Sequence, residues 1–220
     1  MKPIILVIGT PHSFTSMISN FLLDNNGYCP DLWDNPEYDM AYSRFESKQL
    51  QLYIKERHHF KEIDLTDFFK ELPTDKVVTL KEPLLIEFIN DIKKFTDREL
   101  KVVYVLRNPQ DIILSSIEKS KKSFIYYFER IVWSYNYLIN CELPVHVLVS
   151  EKMLKKDENT AKELLKFCEL YDGEINFDSI SLKKTKDRKP TYLKYRFANF
   201  FWKRLSIFFR IYNFKEFPKK

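Results

Sequence analysis

A chain of 220 residues with 45% hydrophobic and 16% aromatic content holds enough apolar mass for one full core and argues against a disordered chain or two independent domains. Only three glycines (Gly9, Gly27, Gly173) argue against linkers and low-complexity repeats, and three cysteines (Cys29, Cys141, Cys168), odd in number and without metal-ligand spacing, read as packing residues of a reducing compartment. The net charge of +5 is unevenly held: residues 183–220 carry thirteen Lys or Arg against two acids, +11, which leaves −6 for residues 1–182 and disfavours a nucleic-acid binder with basic charge spread over the fold.

In chain order, the apolar run Ile4 to Ile8 stops at Gly9, a short polar loop follows, and a helical pattern starts near Thr15 with Met17, Ile18, Phe21 and Leu22 on one face. A strand, tight loop and helix in this order aim backbone N–H groups and the positive end of a helix dipole at one point, which suits an anionic oxygen cluster. Gly9-x-x-x-x-Phe14-Thr15-Ser16 lies in register with the G-x-x-x-x-G-K-[ST] phosphate loop, but Phe14 replaces the second glycine and Thr15 the lysine that pairs with the β/γ-phosphates of ATP. From Met1 to Ile8 the apolar run is too short for a signal peptide or a membrane span, so a cytoplasmic chain is expected.

Residues 28–75, with Trp33, Tyr38, Tyr53 and Phe60, show no specific pattern; their aromatics suit a core or a cap over an acceptor site. Further apolar runs at Val77–Leu80, Val102–Leu106 and Val145–Val149 complete four expected buried parallel strands. Between and after them, Leu85, Phe88, Ile89, Ile92 and Phe95 fall at helical spacing, as do Phe124, Phe128, Ile131, Tyr135 and Leu138, and Thr160 to Glu163 has the form of a capping box. Alternating strands and helices predict an α/β fold of three layers, a parallel sheet with helices on both faces, and the crossover rule puts a ligand at the carboxyl ends of the strands. Those ends hold Lys81-Glu82-Pro83 and Arg107-Asn108-Pro109-Gln110-Asp111, with Pro109 placed to start a helix that carries Ser115.

Pro11-His12-Ser13-Phe14-Thr15-Ser16 resembles the P-[KR]-S-G-T-[TS] loop of sulfotransferases, which use 3′-phosphoadenosine 5′-phosphosulfate (PAPS); it departs at His12 and Phe14. Arg107-Asn108-Pro109 with Ser115 eight residues after the arginine resembles the family's second motif, and Lys81-Glu82-Pro83 is similar to the K-D-P of bacterial carbohydrate sulfotransferases. Ser150 to Leu154 and Leu164 to Leu170 look like scaffold stretches of the same family, so the likeness spans roughly residues 3–171. The resemblance implies a P-loop-NTPase-like sulfotransferase fold. Thr10, Pro11, His12, Ser13, Phe14, Thr15 and Ser16 would hold the 5′-phosphosulfate, Arg107 and Ser115 the 3′-phosphate, and no metal is implied. A hydroxyl attacking sulfur needs a base and cations. Glu82 is the candidate base and Lys81 a stabiliser, with His12, His58 and His59 as rival bases.

The tail from Tyr192 to Phe214 alternates aromatics with Lys and Arg, which suits either an interfacial helix on an anionic membrane or a terminal helix packed on the sheet. Residues 1–182 are thus expected to form the catalytic domain and 183–220 a basic aromatic tail. The expected activity is sulfuryl transfer from PAPS to a hydroxyl of a sugar or lipid-linked glycan, with peripheral membrane contact and no nucleic-acid partner. A nucleotide kinase is the enzyme alternative, and a catalytically silent PAPS- or membrane-binding protein the other.

Overall fold

The computed structural model describes residues 1–30, 47–59, 62–119 and 124–180. The basic tail 183–220 and the aromatics Trp33, Tyr38 and Phe60 lie outside them. Four strands, β1 (Ile4–Gly9), β2 (Val78–Lys81), β3 (Leu100–Leu106) and β4 (Val145–Val149), pair in parallel in the order β2-β1-β3-β4. The helices are α1 (Thr15–Asp24), α2 (Lys48–His58), α3 (Thr66–Lys70), α4 (Ile89–Ile92), α5 (Pro109–Lys119), α6 (Phe124–Ile139), α7 (Ser150–Leu154) and α8 (Glu158–Phe167).

Side chains alternate across a strand, so the consecutive apolar residues of β1 serve two cores. Ile4, Leu6 and Ile8 face Leu50 and Tyr53 of α2, Ile89 and Ile92 of α4 and Leu138 of α6, whereas Ile5 and Val7 face Ile18, Phe21 and Leu22 of α1 and Leu164 and Leu165 of α8. Helices therefore cover both faces, which gives the expected three layers. The chain leaves β1 toward β2 and returns to β3 on the other side, so the sheet reverses its strand order beside β1. In open α/β sheets that reversal opens a crevice at the strands' carboxyl ends.

β4 differs from the buried strand expected of it: among the described residues it pairs only with β3, only Leu148 is fully buried, and Val147 is 45% exposed. The other edge strand, β2, stays buried along its length because Tyr28 pairs beside Val78 and the Ser47 N–H donates to the Lys81 carbonyl.

The helix expected across Leu85 to Phe95 is instead a 3₁₀ turn (Pro83–Phe88), the single-turn α4 and a second 3₁₀ turn (Lys93–Phe95). Side chains three apart eclipse in a 3₁₀ helix. Ile86, Ile89, Ile92 and Phe95 keep that spacing of three, and all are buried. Likewise α8 begins two residues before the expected capping box: Asp157 is its N-cap and accepts from the Thr160 N–H at 2.8 Å, which places Thr160 inside the first turn. Cys168 is a buried packing residue, and burial pushes its thiol up to about 12. Among the described residues no helix is long and apolar enough to cross a membrane.

Candidate functional site

The loop from Gly9 to Phe14 leaves β1 at the strand-order reversal. Gly9 is required there by close approach: a Cβ would stand 2.8 Å from the Val105 carbonyl oxygen of β3 and 2.7 Å from Ser13 Oγ. His12 and Phe14 both adopt left-handed backbone, φ 71° and 72°, which costs a non-glycine residue about 1–2 kcal/mol each. Phe14 is also the N-cap of α1, and it offers no side-chain acceptor to the first-turn N–H groups; that turn carries no acidic residue either. A helix of ten residues thus starts with its positive end turned to the loop and no carboxylate to neutralise it. Ser13 adds a second sign of an anion site: it is fully buried, and its Oγ has no hydrogen-bond partner among the described residues. A buried hydroxyl left unpaired costs about 1–3 kcal/mol, which an oxyanion can recover.

From β3, Arg107 reaches the same loop. Its Nη1 donates to the His12 carbonyl at 2.7 Å, and its guanidinium carbon lies 4.2 Å from the centre of the Phe14 ring. Burial pushes the Arg107 guanidinium down from its ordinary range, while the carboxylates of Asp111 and Glu151 oppose that shift. The next residue, Asn108, starts α5: its Oδ1 accepts from the Gln110 N–H at 2.9 Å and its carbonyl from Asp111 and Ile112, with Pro109 at the first helical position where a missing N–H costs nothing. Glu151, the second residue of α7 just past β4, accepts from the Asn108 N–H at 2.8 Å, so a stretch read as scaffold fixes the corner that presents Arg107. Ser115 follows on α5, half-buried.

On the other side of β1, Lys81 ends β2 opposite Val7 and is 2% exposed. Glu82 is nearly buried, and its Oε1 accepts from the Leu84 N–H at 3.2 Å, capping the turn that begins at Pro83. Between this turn, the loop and α6 lies a shallow cleft, partly open to solvent and with enclosed room of only about 10 Å³, about one water, that Pro11, Pro83, Glu87, Arg130 and Trp133 help to line. Trp133 is 52% exposed, and the Arg130 guanidinium stands over its ring at 5.8 Å. Glu87 pairs with Arg130 and, at 3.5 Å, with His58 Nε2. Burial, then Arg130 and His59, hold His58 below the ordinary histidine range. His59 is exposed.

The loop residues predicted from sequence are therefore not all turned to the same task. Thr10 Oγ1 lies 3.0 Å from Ser134 Oγ, and Ser134 also takes the Tyr104 hydroxyl at 3.0 Å while donating to the Ile131 carbonyl at 2.9 Å. One hydroxyl has one proton, so Ser134 accepts from both neighbours and Thr10 donates. The His12 ring packs 6.0 Å from Tyr127, on the α6 side of the loop. Thr15 is buried and Ser16 half-buried in the first turn of α1. Sequence reasoning missed Tyr104, Ser134, Glu87 and Arg130, and it named His58 only as a rival base, not as a partner of Glu87. Ser134 had one visible sign: it is a polar residue on the buried Tyr127, Ile131, Leu138 face of α6.

The model of the "Sulfotransferase domain" family matches residues 2–143. Among solved structures, the sulfotransferase domain from the Synechococcus PCC 7002 olefin synthase superposes with a TM-score of 0.58 at 12% identity, covering 91% of this chain and 94% of that one. No curated protein sequence matches.

Proposed function

The chain belongs to the sulfotransferase family, and from that premise we propose that it transfers a sulfuryl group from PAPS to a hydroxyl of a carbohydrate or lipid-linked glycan. The observation that carries the donor reading is the unpaired, fully buried Ser13 Oγ beside the uncapped start of α1, together with Arg107 on the neighbouring strand end. These residues fit the two anionic ends of PAPS: the loop with Ser13, Thr15 and Ser16 takes the 5′-phosphosulfate, and Arg107 with Ser115 takes the 3′-phosphate. The kinase alternative is disfavoured because Thr15, buried in the helix start, stands where ATP would need a lysine.

PAPS, when bound, supplies an electrophilic sulfur and a phosphate leaving group. Glu82 takes the proton from the acceptor hydroxyl, its Oε1 shared with the Leu84 N–H, which holds the carboxylate at the strand end. Lys81 and His12 offset charge on the sulfuryl oxygens. On the acceptor side, the half-exposed Trp133 with Arg130 and Glu87 offers an open aromatic face and polar groups, and it is against this surface, outside the small cleft, that we place a sugar ring. The stretch 192–214 lies outside the described residues; we retain for it the proposal of docking on an anionic membrane. Salt-sensitive co-sedimentation of the full chain with anionic vesicles tests that, and no pelleting at low salt would end it.

The test of the activity is PAPS turnover by the full chain against a panel of glycans and glycolipids, read as release of 3′-phosphoadenosine 5′-phosphate and a mass gain of one sulfuryl group on the acceptor. Transfer from ATP instead, or no transfer from PAPS to any hydroxyl, would overturn it.

A further inference from the structure

The family's loop has glycine where this chain has Phe14, and glycine enters the left-handed region freely whereas phenylalanine does not. The ring must therefore do something that a bare loop cannot. It lies under Arg107, whose guanidinium carbon stands 4.2 Å from the ring centre and whose Nη1 is bonded to the carbonyl of His12, the other left-handed residue of the loop. A guanidinium stacked by its face keeps its edge for hydrogen bonds. Among the described residues only one edge donor of Arg107 is engaged, and Asp111 and Glu151 act on it through space without a hydrogen bond to it.

We propose that Phe14 is a positioning residue that sets the preference for a 3′-phosphorylated nucleotide: its ring and the His12 carbonyl fix the Arg107 guanidinium with its remaining edge presented to the 3′-phosphate. The inference deepens the PAPS reading and rests on it. An arginine side chain tied by one hydrogen bond alone loses rotamer freedom when it meets a phosphate, whereas one already clamped on two sides does not. The same clamp joins the two halves of the donor site, because the loop that receives the 5′ end is bonded to the residue that reads the 3′ end. The phenylalanine thus compensates within the site for the glycine it replaces.

The experiment combines calorimetry and a ligand-free spectrum on the full chain. Wild type, Phe14→Tyr, Phe14→Leu and Phe14→Gly are titrated with 3′-phosphoadenosine 5′-phosphate and with AMP, and the Arg107 Nε–H resonance is assigned by comparison with Arg107→Lys. Loss of a stacked face is expected to weaken the 3′-phosphorylated nucleotide about threefold to tenfold in Phe14→Leu and in Phe14→Gly, although the latter restores the family's residue. AMP should lose a clearly smaller factor than the 3′-phosphorylated nucleotide, and not none, because Phe14 also belongs to the loop that receives the 5′-phosphate. Phe14→Tyr should retain the preference, and the ring-current shift of the Arg107 resonance should be present in wild type and Phe14→Tyr and absent in Phe14→Leu. A purely structural role would weaken both nucleotides alike, and that result, or a wild-type Arg107 resonance without a ring-current shift, overturns the clamp while leaving the PAPS reading standing. A wild type that binds the two nucleotides equally overturns both.

Discussion

The proposed donor side and acceptor side of the site, which meet at the carboxyl end of β1, are built in opposite ways. On the donor side one polar group and one helix end lack a partner: among the described residues Ser13 Oγ is buried and unpaired, and α1 begins with neither a side-chain cap nor an acid in its first turn. On the acceptor side they are already committed: Glu82 caps its own turn, and Glu87 is shared by Arg130 and His58. A side that leaves anion-binding groups unpaid in the folded chain is selective for charge, and a side whose charges are internally balanced is selective for shape. This is the division of labour that the proposed anionic donor and hydroxyl acceptor would require.

The largest effect expected on that contrast comes from Glu82→Gln. The amide oxygen still accepts from Leu84, so the turn survives, but the base is gone; turnover should fall on the order of 100-fold or more with the affinity for 3′-phosphoadenosine 5′-phosphate unchanged. Near-normal turnover would shift the role to His12 or His58 and remove Glu82 from the chemistry. Next, Arg107→Ala should weaken 3′-phosphoadenosine 5′-phosphate at least about tenfold by calorimetry. Because Arg107 also holds the His12 carbonyl, AMP should lose a smaller amount instead of none. Equal losses for both nucleotides would reduce Arg107 to a brace of the loop.

Ser134→Ala removes the acceptor of both Thr10 and Tyr104 and leaves two buried hydroxyls to find other partners. Stability should drop by about 1–2 kcal/mol, seen as a melting temperature lower by about 4 °C. An unchanged melt would mean that the loop is not anchored through α6.

The smallest effect is the acid response of His58. Burial, then the Arg130 guanidinium and His59, lower its folded-state value, although the Glu87 carboxylate stands 3.5 Å from its Nε2. As pH falls below about 6.5 the unfolded chain takes the proton first, so the stability that this group contributes at neutral pH is lost on acidification. The imidazole is 42% exposed, which keeps the effect small. Wild type should lose about 1 °C more than His58→Gln between neutral pH and pH 5.5; a wild type that gains stability on acidification relative to the variant would show that Glu87 dominates.

The same contrast explains what was legible in the sequence. Gly9 through Ser16 is one contiguous stretch between an apolar run and a helix, and Arg107-Asn108-Pro109 is another, so local chemistry exposes both: the helix start at Pro109 and the loop after Ile8 stand where the pattern puts them. The acceptor side draws Glu87, Arg130 and His58 from a 3₁₀ turn and two helices, and no local rule links residues that far apart. The segment from Pro83 to Phe95 misled for a related reason, since a spacing of three apolar residues fits one face of an α-helix as well as a 3₁₀ run. The departure at Phe14 was visible as a mismatch, but its contact with Arg107 depends on how the β1 and β3 ends are paired.

The central claim is that the crevice beside β1 reads a nucleotide with phosphate at both its 5′ and 3′ ends. It is tested most directly by titrating the full chain calorimetrically with 3′-phosphoadenosine 5′-phosphate, AMP and ATP under one buffer. The account predicts that 3′-phosphoadenosine 5′-phosphate binds at least about tenfold more tightly than AMP and that ATP binds no better than AMP. Tighter binding of ATP, or equal binding of 3′-phosphoadenosine 5′-phosphate and AMP, would contradict it.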